Sequence, residues 1–269
     1  MLAAITWDVS PEIFPNSPIP LRWYGLLFAL GFLIGYELLK RMFKREGYPV
    51  EWTDKCLIYC MVGTIVGARL GHVFFYDWAE YSKDPIQIFM VWKGGLASHG
   101  AVIGIITAFW LLSRKGIKMP MLWILDRVVI TIAQAGALIR LGNLMNSEIY
   151  GKPTNSDWGF IFINSDELAT PRYPTQIMEA AGYLLIFIFL WYSYLKTDIK
   201  SYVGRLFGWF LVTIFAFRFC MEFLKADQVE FEATMALNMG QWLSVPCVLA
   251  GIYFIVAAKK FVPNELPQK

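Results

Sequence analysis

Seven stretches of this chain are apolar over the length needed to cross a lipid bilayer, and this limits the fold more than any other feature. A membrane-spanning helix needs about 20 mostly apolar residues. The stretches cover residues 22–39, 56–75, 94–112, 120–139, 176–195, 205–224 and 239–258. Of 269 residues, 57% are hydrophobic and 17% are charged, which is unlike a soluble protein. The sequence therefore predicts an all-α integral membrane protein, in which residues 1–269 form a single domain of seven transmembrane helices.

The distribution of lysine and arginine predicts the orientation of these helices. Fourteen lysines and arginines follow the first, third, fifth and seventh stretches. Only five lie in the N-terminal tail and the remaining loops. Because lysine and arginine concentrate in cytoplasmic loops, we expect the N-terminus outside and the C-terminal tail in the cytoplasm. Residues 141–175, which follow the fourth stretch and are rich in turn-forming residues, then make an ordered or semi-ordered loop region on the outside.

Charge and ligand-forming residues exclude two classes of partner. The net charge is only +3, and no basic cluster is interleaved with aromatic residues, so we expect no nucleic-acid binding. The two histidines lie in different apolar stretches, and no carboxylates or thiols stand at metal-ligand spacing around them. We therefore predict neither a metal site nor a cofactor.

Ionisable residues within the apolar stretches are candidates for function, because burying them in lipid is costly. With alternating helix directions, most of them fall at or near the outer ends of their helices. This group, which predicts one outward-facing polar cavity, comprises Tyr24, Arg69, His72, His99, Arg140, Glu179, Arg218 and Glu222.

Structural roles compete with functional ones at several of these positions. Arg218 and Glu222 stand four residues apart and can neutralise each other along one helix. Asp126, on the inner side, is interpreted as structural, and His72 as a packed neutral histidine. His99 follows Ser98, but neighbours on a helix diverge too far to form a nucleophile and base pair, so a serine hydrolase is not favoured.

The stretch from Arg140 to Gly151 is the richest in polar groups. It reads R-L-G-N-L-M-N-S-E-I-Y-G and supplies a guanidinium, two amides and a carboxylate. The planar fork of arginine suits bidentate binding of phosphate, and amides donate to phosphate or ester oxygens. With Arg218 from another helix, the pattern predicts a two-arginine anion site at the depth of phospholipid headgroups.

The same stretch resembles the signature of the prolipoprotein diacylglyceryl transferases of bacterial inner membranes. Its R-x-G-N-x-x-N-x-E-x-x-G pattern fixes the residue at six positions with fixed spacing, and the resemblance covers nearly the whole chain. Supporting matches are Trp23-Tyr24-Gly25, V-G-A-R-L-G over 66–71, G-G-L-x-x-H-G over 94–100, R-x-P-x-Q-x-x-E over 172–179, and Arg218-Phe219 with Glu222-Phe223.

The chain also departs from that family's pattern. The family commonly has other residue types at six positions, which here hold Ala101, Ile139, Tyr173, Met178, Ile214 and Lys225. Roles that the family gives to the residues at 173 and 214 are therefore not carried over to this chain.

The resemblance implies a multi-pass enzyme of the bacterial inner membrane. Its reaction transfers the diacylglyceryl group of phosphatidylglycerol to the thiol of the lipobox cysteine in a preprolipoprotein signal peptide, and it releases glycerol 1-phosphate. A thiol must lose its proton to become a good nucleophile. We expect His99 to be the base, with an arginine-lowered thiol pKa as the alternative, and Arg140 and Arg218 to stabilise the leaving phosphate. Substrate contacts are expected from Tyr24, Arg69, Asn143, Asn146, Glu148, Gly151 and Glu222.

Two other classes of function stay open at this point. A seven-helix transporter or lipid flippase would place its anion site at the midplane and often shows repeat symmetry, and neither feature is found in the sequence. A ligand-gated receptor needs an intracellular coupling surface, which the short basic loops do not offer. Chemical consumption of lipid distinguishes the transferase from both.

Overall fold

The computed structural model of the protein describes residues 4–15, 21–91, 94–166, 168–226 and 235–261. Within these residues each of the seven predicted stretches coincides with one long helix. The seven are α1 (Trp23–Glu46), α2 (Glu51–Phe75), α4 (Ser98–Leu111), α5 (Met121–Met145), α6 (Thr175–Lys196), α7 (Arg205–Met221) and α8 (Met239–Ala257), while α3 (Trp78–Tyr81) is a single turn. Four of them, α2, α5, α6 and α8, are long and apolar enough to cross a membrane. The chain is therefore a membrane protein. The C-terminal tail beyond residue 261, which the charge pattern assigns to the cytoplasm, lies outside the described residues.

Several helix ends differ from the predicted boundaries, and α1 and α5 both continue past their apolar stretches. The first helix, α1, continues to Glu46 instead of residue 39 and stops where Gly47 takes a φ of 78°. Helix α5 reaches Met145 instead of residue 139, so Arg140 and Asn143 lie in its last turns. Residues 94–97, predicted to begin the third helix, are not helical.

Two small sheets accompany the helices and were not predicted. Strand β1 (Ile5–Trp7) pairs in parallel with β2 (Phe160–Phe162), and β3 (Tyr202–Val203) pairs antiparallel with β4 (Lys259–Lys260). The first pairing joins the N-terminal segment to the 141–175 loop region. In addition, the indole of Trp7 donates a 3.1 Å hydrogen bond to the carbonyl of Leu144. These contacts order the segment that follows α5.

The described residues group into two compact units. The first unit is drawn from Met1–Leu38 and Asp126–Asn264, and the second from Leu39–Leu125. In the first unit, a Cβ on Gly31 would lie 3.3 Å from the Cβ of Ala135, so the absence of a side chain there lets α1 and α5 pack closely. In the second unit, a Cβ on Gly63 would lie 2.7 Å from that of Ala108, which brings α2 against α4. Small residues at such crossings allow helices to approach in lipid.

Asp126 has the structural role that its sequence context favoured. Its carboxylate is wholly buried in the first unit and accepts hydrogen bonds from the backbone N–H groups of Gly204, at 2.7 Å, and Phe207, at 2.8 Å. These donors belong to the start of α7, where a helix leaves N–H groups without intrahelical partners. A side chain of α5 therefore caps the N-terminus of α7.

Candidate active site

The end of α5 and the loop that follows it form one hydrogen-bonded unit around Glu148. The carboxylate of Glu148 accepts from the amide of Asn143 at 2.8 Å and from that of Asn146 at 3.2 Å. The side-chain oxygen of Asn143 in turn accepts from the guanidinium of Arg140 at 3.2 Å. The guanidinium, the two amides and the carboxylate thus orient one another within residues 140–148.

The backbone of this loop is bent at positions that the sequence did not suggest. Ser147 and Ile149 have φ angles of 53° and 59°, in the left-handed region that non-glycine residues rarely occupy. Gly151, at which substrate contact is expected, allows neighbouring segments to approach closely. A Cβ there would lie 2.6 Å from the Cβ of Tyr173 and 2.8 Å from the carbonyl oxygen of Leu224.

Arg140 is held from the side of α6. Its Nε lies 3.0 Å from a carboxylate oxygen of Glu179, whose side chain is wholly buried. The guanidinium carbon also lies 5.9 Å from the ring centre of Tyr183, one helical turn further along α6. Sequence analysis grouped Glu179 with the polar residues but did not assign it to the site, and it missed Tyr183 altogether, because an aromatic residue within an apolar stretch carries no distinguishing signal.

Arg218 is held less tightly than Arg140. Its Nε lies 3.4 Å from a carboxylate oxygen of Glu222, which confirms the pairing expected from their spacing along α7. The other oxygen of Glu222 accepts a 3.1 Å hydrogen bond from Asn238, the N-cap of α8. The side chain of Arg218 is 38% exposed, against 15% for Arg140. The side chain of Arg218 is therefore the more accessible of the two.

Tyr24 also belongs to this region of the first unit. A Cβ on Gly142 would lie 2.8 Å from a ring carbon of Tyr24, so the ring packs directly on the signature stretch. The first unit thus brings together most of the predicted site residues. They are Tyr24, Arg140, Asn143, Asn146, Glu148, Gly151, Arg218 and Glu222.

Arg69 and His99, the remaining predicted residues, belong to the second unit. The guanidinium of Arg69 is buried and donates to main-chain carbonyls of Ile88 at 2.8 Å, Gly94 at 2.7 Å and Gly95 at 3.2 Å, and also to that of Gln87. Four of its five N–H groups are thereby used by the backbone.

His99 is exposed in the first turn of α4. Its ring packs at centroid distances of 5.2 Å from Phe75 and 5.6 Å from Tyr76. His72, predicted to be a packed histidine, lies 2.8 Å from a carboxylate oxygen of Asp77 and stacks on Tyr76. An apolar cavity of about 680 Å³ runs between α2 and α4, but among the described residues none of the predicted site residues lines it. We therefore assign the site to the polar cluster and not to this cavity.

A family model for prolipoprotein diacylglyceryl transferase matches residues 11–257. The chain belongs to this family. The match includes every residue of the cluster described above.

Relatives from three bacteria match over nearly their whole length. The phosphatidylglycerol–prolipoprotein diacylglyceryl transferase of Tolumonas auensis is 46% identical over 254 residues, which cover 94% of this chain and 97% of the relative. The protein of the same name from Porphyromonas gingivalis is 47% identical and covers 99% of this chain and 98% of its own length. That of Chloroherpeton thalassium is 44% identical, with 95% of each covered.

Proposed function

We propose that this chain transfers the diacylglyceryl group of phosphatidylglycerol to the thiol of the lipobox cysteine in a preprolipoprotein. The observation that carries the proposal is the arrangement of Arg140 and Arg218, which come from different helices and are each oriented by a buried carboxylate. Two oriented guanidinium groups in a membrane protein suit an anionic phospholipid headgroup. Family membership and the names of the relatives give the reaction.

The reaction exchanges one bond to carbon for another. The sulfur of the cysteine forms a bond to the terminal glycerol carbon of the diacylglyceryl group, and the bond from that carbon to the phosphate oxygen breaks. The electron pair of the broken bond leaves on the phosphate oxygen, and glycerol 1-phosphate departs. The thiol proton passes to a base. No oxidant, metal or cofactor is required by this balance.

Arg140 and Arg218 stabilise the charge that develops on the departing phosphate. Fixed donors that point at a developing charge are among the largest contributions to catalysis. The ion pairs described above engage the Nε of each arginine, and one terminal nitrogen of Arg140 donates to Asn143. The terminal nitrogens of Arg218 carry the contact to phosphate, since its side chain is the more exposed.

The signature loop positions the rest of the headgroup. Asn143 and Asn146 orient phosphate or ester oxygens, and Glu148 fixes both amides through the hydrogen bonds that it accepts. Tyr24 contacts the glycerol or an ester carbonyl from its place on Gly142. Gly151 leaves room for the backbone of the neighbouring segment. Glu222 serves by orienting Arg218.

His99 is the base in this proposal, because its imidazole is exposed and a ring nitrogen of a neutral imidazole can accept the thiol proton. The alternative is a thiol whose pKa is lowered by the arginines alone. A His99→Gln protein that retains near-normal turnover removes His99 from the mechanism. We assign Arg69 to holding the carbonyls of Gln87, Ile88, Gly94 and Gly95 instead of to substrate contact, since its donors are directed at the main chain.

The proposed setting is the inner membrane, crossed seven times, with the N-terminus outside and the C-terminus in the cytoplasm. The lysine and arginine distribution supports this orientation. Helices α1, α4 and α7 supply the three spans beyond the four that length and composition already indicate. The whole chain then acts as one seven-helix domain, and residues 141–175 lie on the outer side.

Reconstituted transfer tests the proposal. Purified protein in phosphatidylglycerol liposomes is incubated with a signal peptide that carries a lipobox cysteine, and with the matched peptide in which serine replaces that cysteine. We expect release of glycerol 1-phosphate and a peptide mass increase of one diacylglyceryl group with the cysteine peptide only. If folded protein yields neither product, the transferase assignment is wrong, and a transport role for the arginines takes its place.

A further inference from the structure

Lys225 is a buried cation in the segment that follows α7, and the mechanism above does not use it. Its side chain is 2% exposed. The chain around it is fixed to the signature loop by a β-bridge between Gly151 and Lys225, in which the N–H of Lys152 donates to the carbonyl of Leu224 and the N–H of Ala226 donates to that of Tyr150. The position of the Lys225 side chain is thus tied to the loop that carries Glu148.

The ammonium of Lys225 lies between two carboxylates. Its Nζ is 2.9 Å from an oxygen of Glu179 and 3.1 Å from an oxygen of Glu222. Glu179 is the ion-pair partner of Arg140, and Glu222 is the partner of Arg218. One lysine therefore joins the two arginine–glutamate pairs into a continuous chain of five charges from α5, α6 and α7.

Electrostatics make this central cation necessary for the arrangement. Two buried carboxylates that approach the same point repel each other, and each costs free energy to desolvate unless it is paired. With the lysine present, the five groups carry a net charge of +1, so the arginines keep attraction for an anion. Without Lys225, each glutamate would have only its arginine as a cationic partner in this chain of contacts. The four remaining groups would then carry a net charge of zero.

We propose that Lys225 is a positioning residue that sets the geometry of both arginines through Glu179 and Glu222. The inference rests on the proposed function for the identity of the substrate. Lys225 does not itself contact the lipid, because its ammonium is buried against the two carboxylates. It differs from a residue that merely supports folding, since its effect passes through two identified side chains.

The test is a double-mutant cycle with turnover and unfolding measured on the same preparations. Lys225→Met removes the charge at similar length, and Lys225→Arg keeps it. Lys152→Met is the matched control, because Lys152 lies in the adjoining segment with an exposed side chain. We expect Lys225→Met to lower kcat by about 100-fold, the effect of a small misplacement of catalytic groups, with a much smaller change in KM for phosphatidylglycerol. Lys225→Arg should restore most of that loss, and Lys152→Met should behave as wild type.

Coupling to Glu179 separates positioning from general stability. In a Glu179→Gln background, where the carboxylate that Lys225 organises is already neutral, we expect Lys225→Met to cost less than about tenfold. Equal losses in both backgrounds would overturn the proposal, as would a Lys225→Met protein with wild-type kcat. If Lys225→Met does not fold, Lys225→Arg is compared in the wild-type and Glu179→Gln backgrounds instead. A Lys225→Arg protein that folds but loses turnover equally in both backgrounds contradicts the inference.

A second readout separates this inference from the proposed function. If wild-type protein shows no transfer, the function fails, and the inference is then judged by stabilisation against heat by added glycerol 1-phosphate. A stabilisation of wild type that disappears in Lys225→Met supports a lysine-organised anion site. An equal shift in both proteins, or none in either, overturns it.

Discussion

Arg69 and Arg218 are both arginines within long helices, yet their surroundings give them opposite roles. Arg69, in the second unit, is 2% exposed, and its N–H groups donate to four main-chain carbonyls. Arg218, in the first unit, is 38% exposed in its side chain and is held by one carboxylate at 3.4 Å. A guanidinium whose donors are filled by the backbone supports the fold. One that is oriented but only partly engaged is available to a substrate.

The largest effect is expected from the accessible arginine. Arg218→Ala should lower turnover by about 10²- to 10³-fold, as removal of a group that stabilises transition-state charge does. Its unfolding temperature should change little, because the side chain is partly exposed and its ion pair within the described part of the chain, with Glu222, is at 3.4 Å. The measurement is glycerol 1-phosphate release per folded molecule, beside thermal unfolding.

The matched control for this change is Arg114→Ala, because Arg114 is exposed in the π-helical turn after α4. It should retain wild-type turnover. A comparable loss in both variants would mean that positive charge in general, and not the position of Arg218, supports activity.

The reverse pattern is expected for Arg69. Arg69→Lys keeps the charge but cannot reproduce the forked set of donors, so several charge-assisted hydrogen bonds are lost. We expect a loss of about 3 kcal/mol in unfolding free energy. Limited proteolysis should show faster cleavage between residues 82 and 97. A lysine variant with wild-type stability and protease resistance would show that the carbonyl contacts contribute nothing.

Asp126, like Arg69, is a charged side chain engaged by the main chain, but it lies in the first unit. Asp126→Ala removes the acceptor for the N–H groups of Gly204 and Phe207 and should cost about 2 kcal/mol, the upper range for a helix cap. Turnover per folded molecule should stay unchanged. The exposed Asp198 supplies the control variant, Asp198→Ala, for which no change in unfolding is expected.

The smallest effect concerns an ion pair in the loop region. Arg172 donates to Asp166 at 2.6 and 3.0 Å, and these hydrogen bonds hold the pKa of Asp166 below its ordinary value of about 3.9. A lowered carboxyl pKa in the folded state gives stability that is present above the ordinary pKa and is lost as the pH falls through the lowered one. The contribution should be below about 1 kcal/mol.

Proteolysis within residues 151–173 measures this effect. Cleavage should be constant between pH 8 and about pH 5, and should rise only below the ordinary carboxyl pKa of about 3.9. Asp166→Asn should abolish that rise. A rise between pH 8 and pH 6 would implicate a different group.

Much of the helical framework could be predicted from the sequence, because hydropathy over about 20 residues is a strong signal. All seven helices occur where apolar stretches predicted them. Their ends were less predictable, since α1 continues through charged residues to Gly47. The pairing of β1 with β2 could not be foreseen, because it joins short segments more than 150 residues apart and neither has a pattern of its own.

Within the site, spacing along one helix was informative and contacts between helices were not. The pairing of Arg218 with Glu222 follows from their four-residue spacing. The sequence grouped Arg69 with Arg140 in the polar cavity, because an arginine in an apolar stretch gives the same sequence signal whether carbonyls or carboxylates surround it. Lys225 drew notice only as a departure from a family pattern, and its place between Glu179 and Glu222 depends on how α6 and α7 pack.

The use of an arginine's donors decides whether it serves chemistry or folding. Turnover per folded molecule and unfolding temperature, measured for Arg218→Ala and Arg69→Lys side by side in the same liposomes, separate the two roles. Arg218→Ala should lose turnover and keep its stability, while Arg69→Lys should lose stability and retain turnover in the fraction that stays folded. If both variants lose turnover and stability in the same proportion, the distinction between the two arginines is wrong.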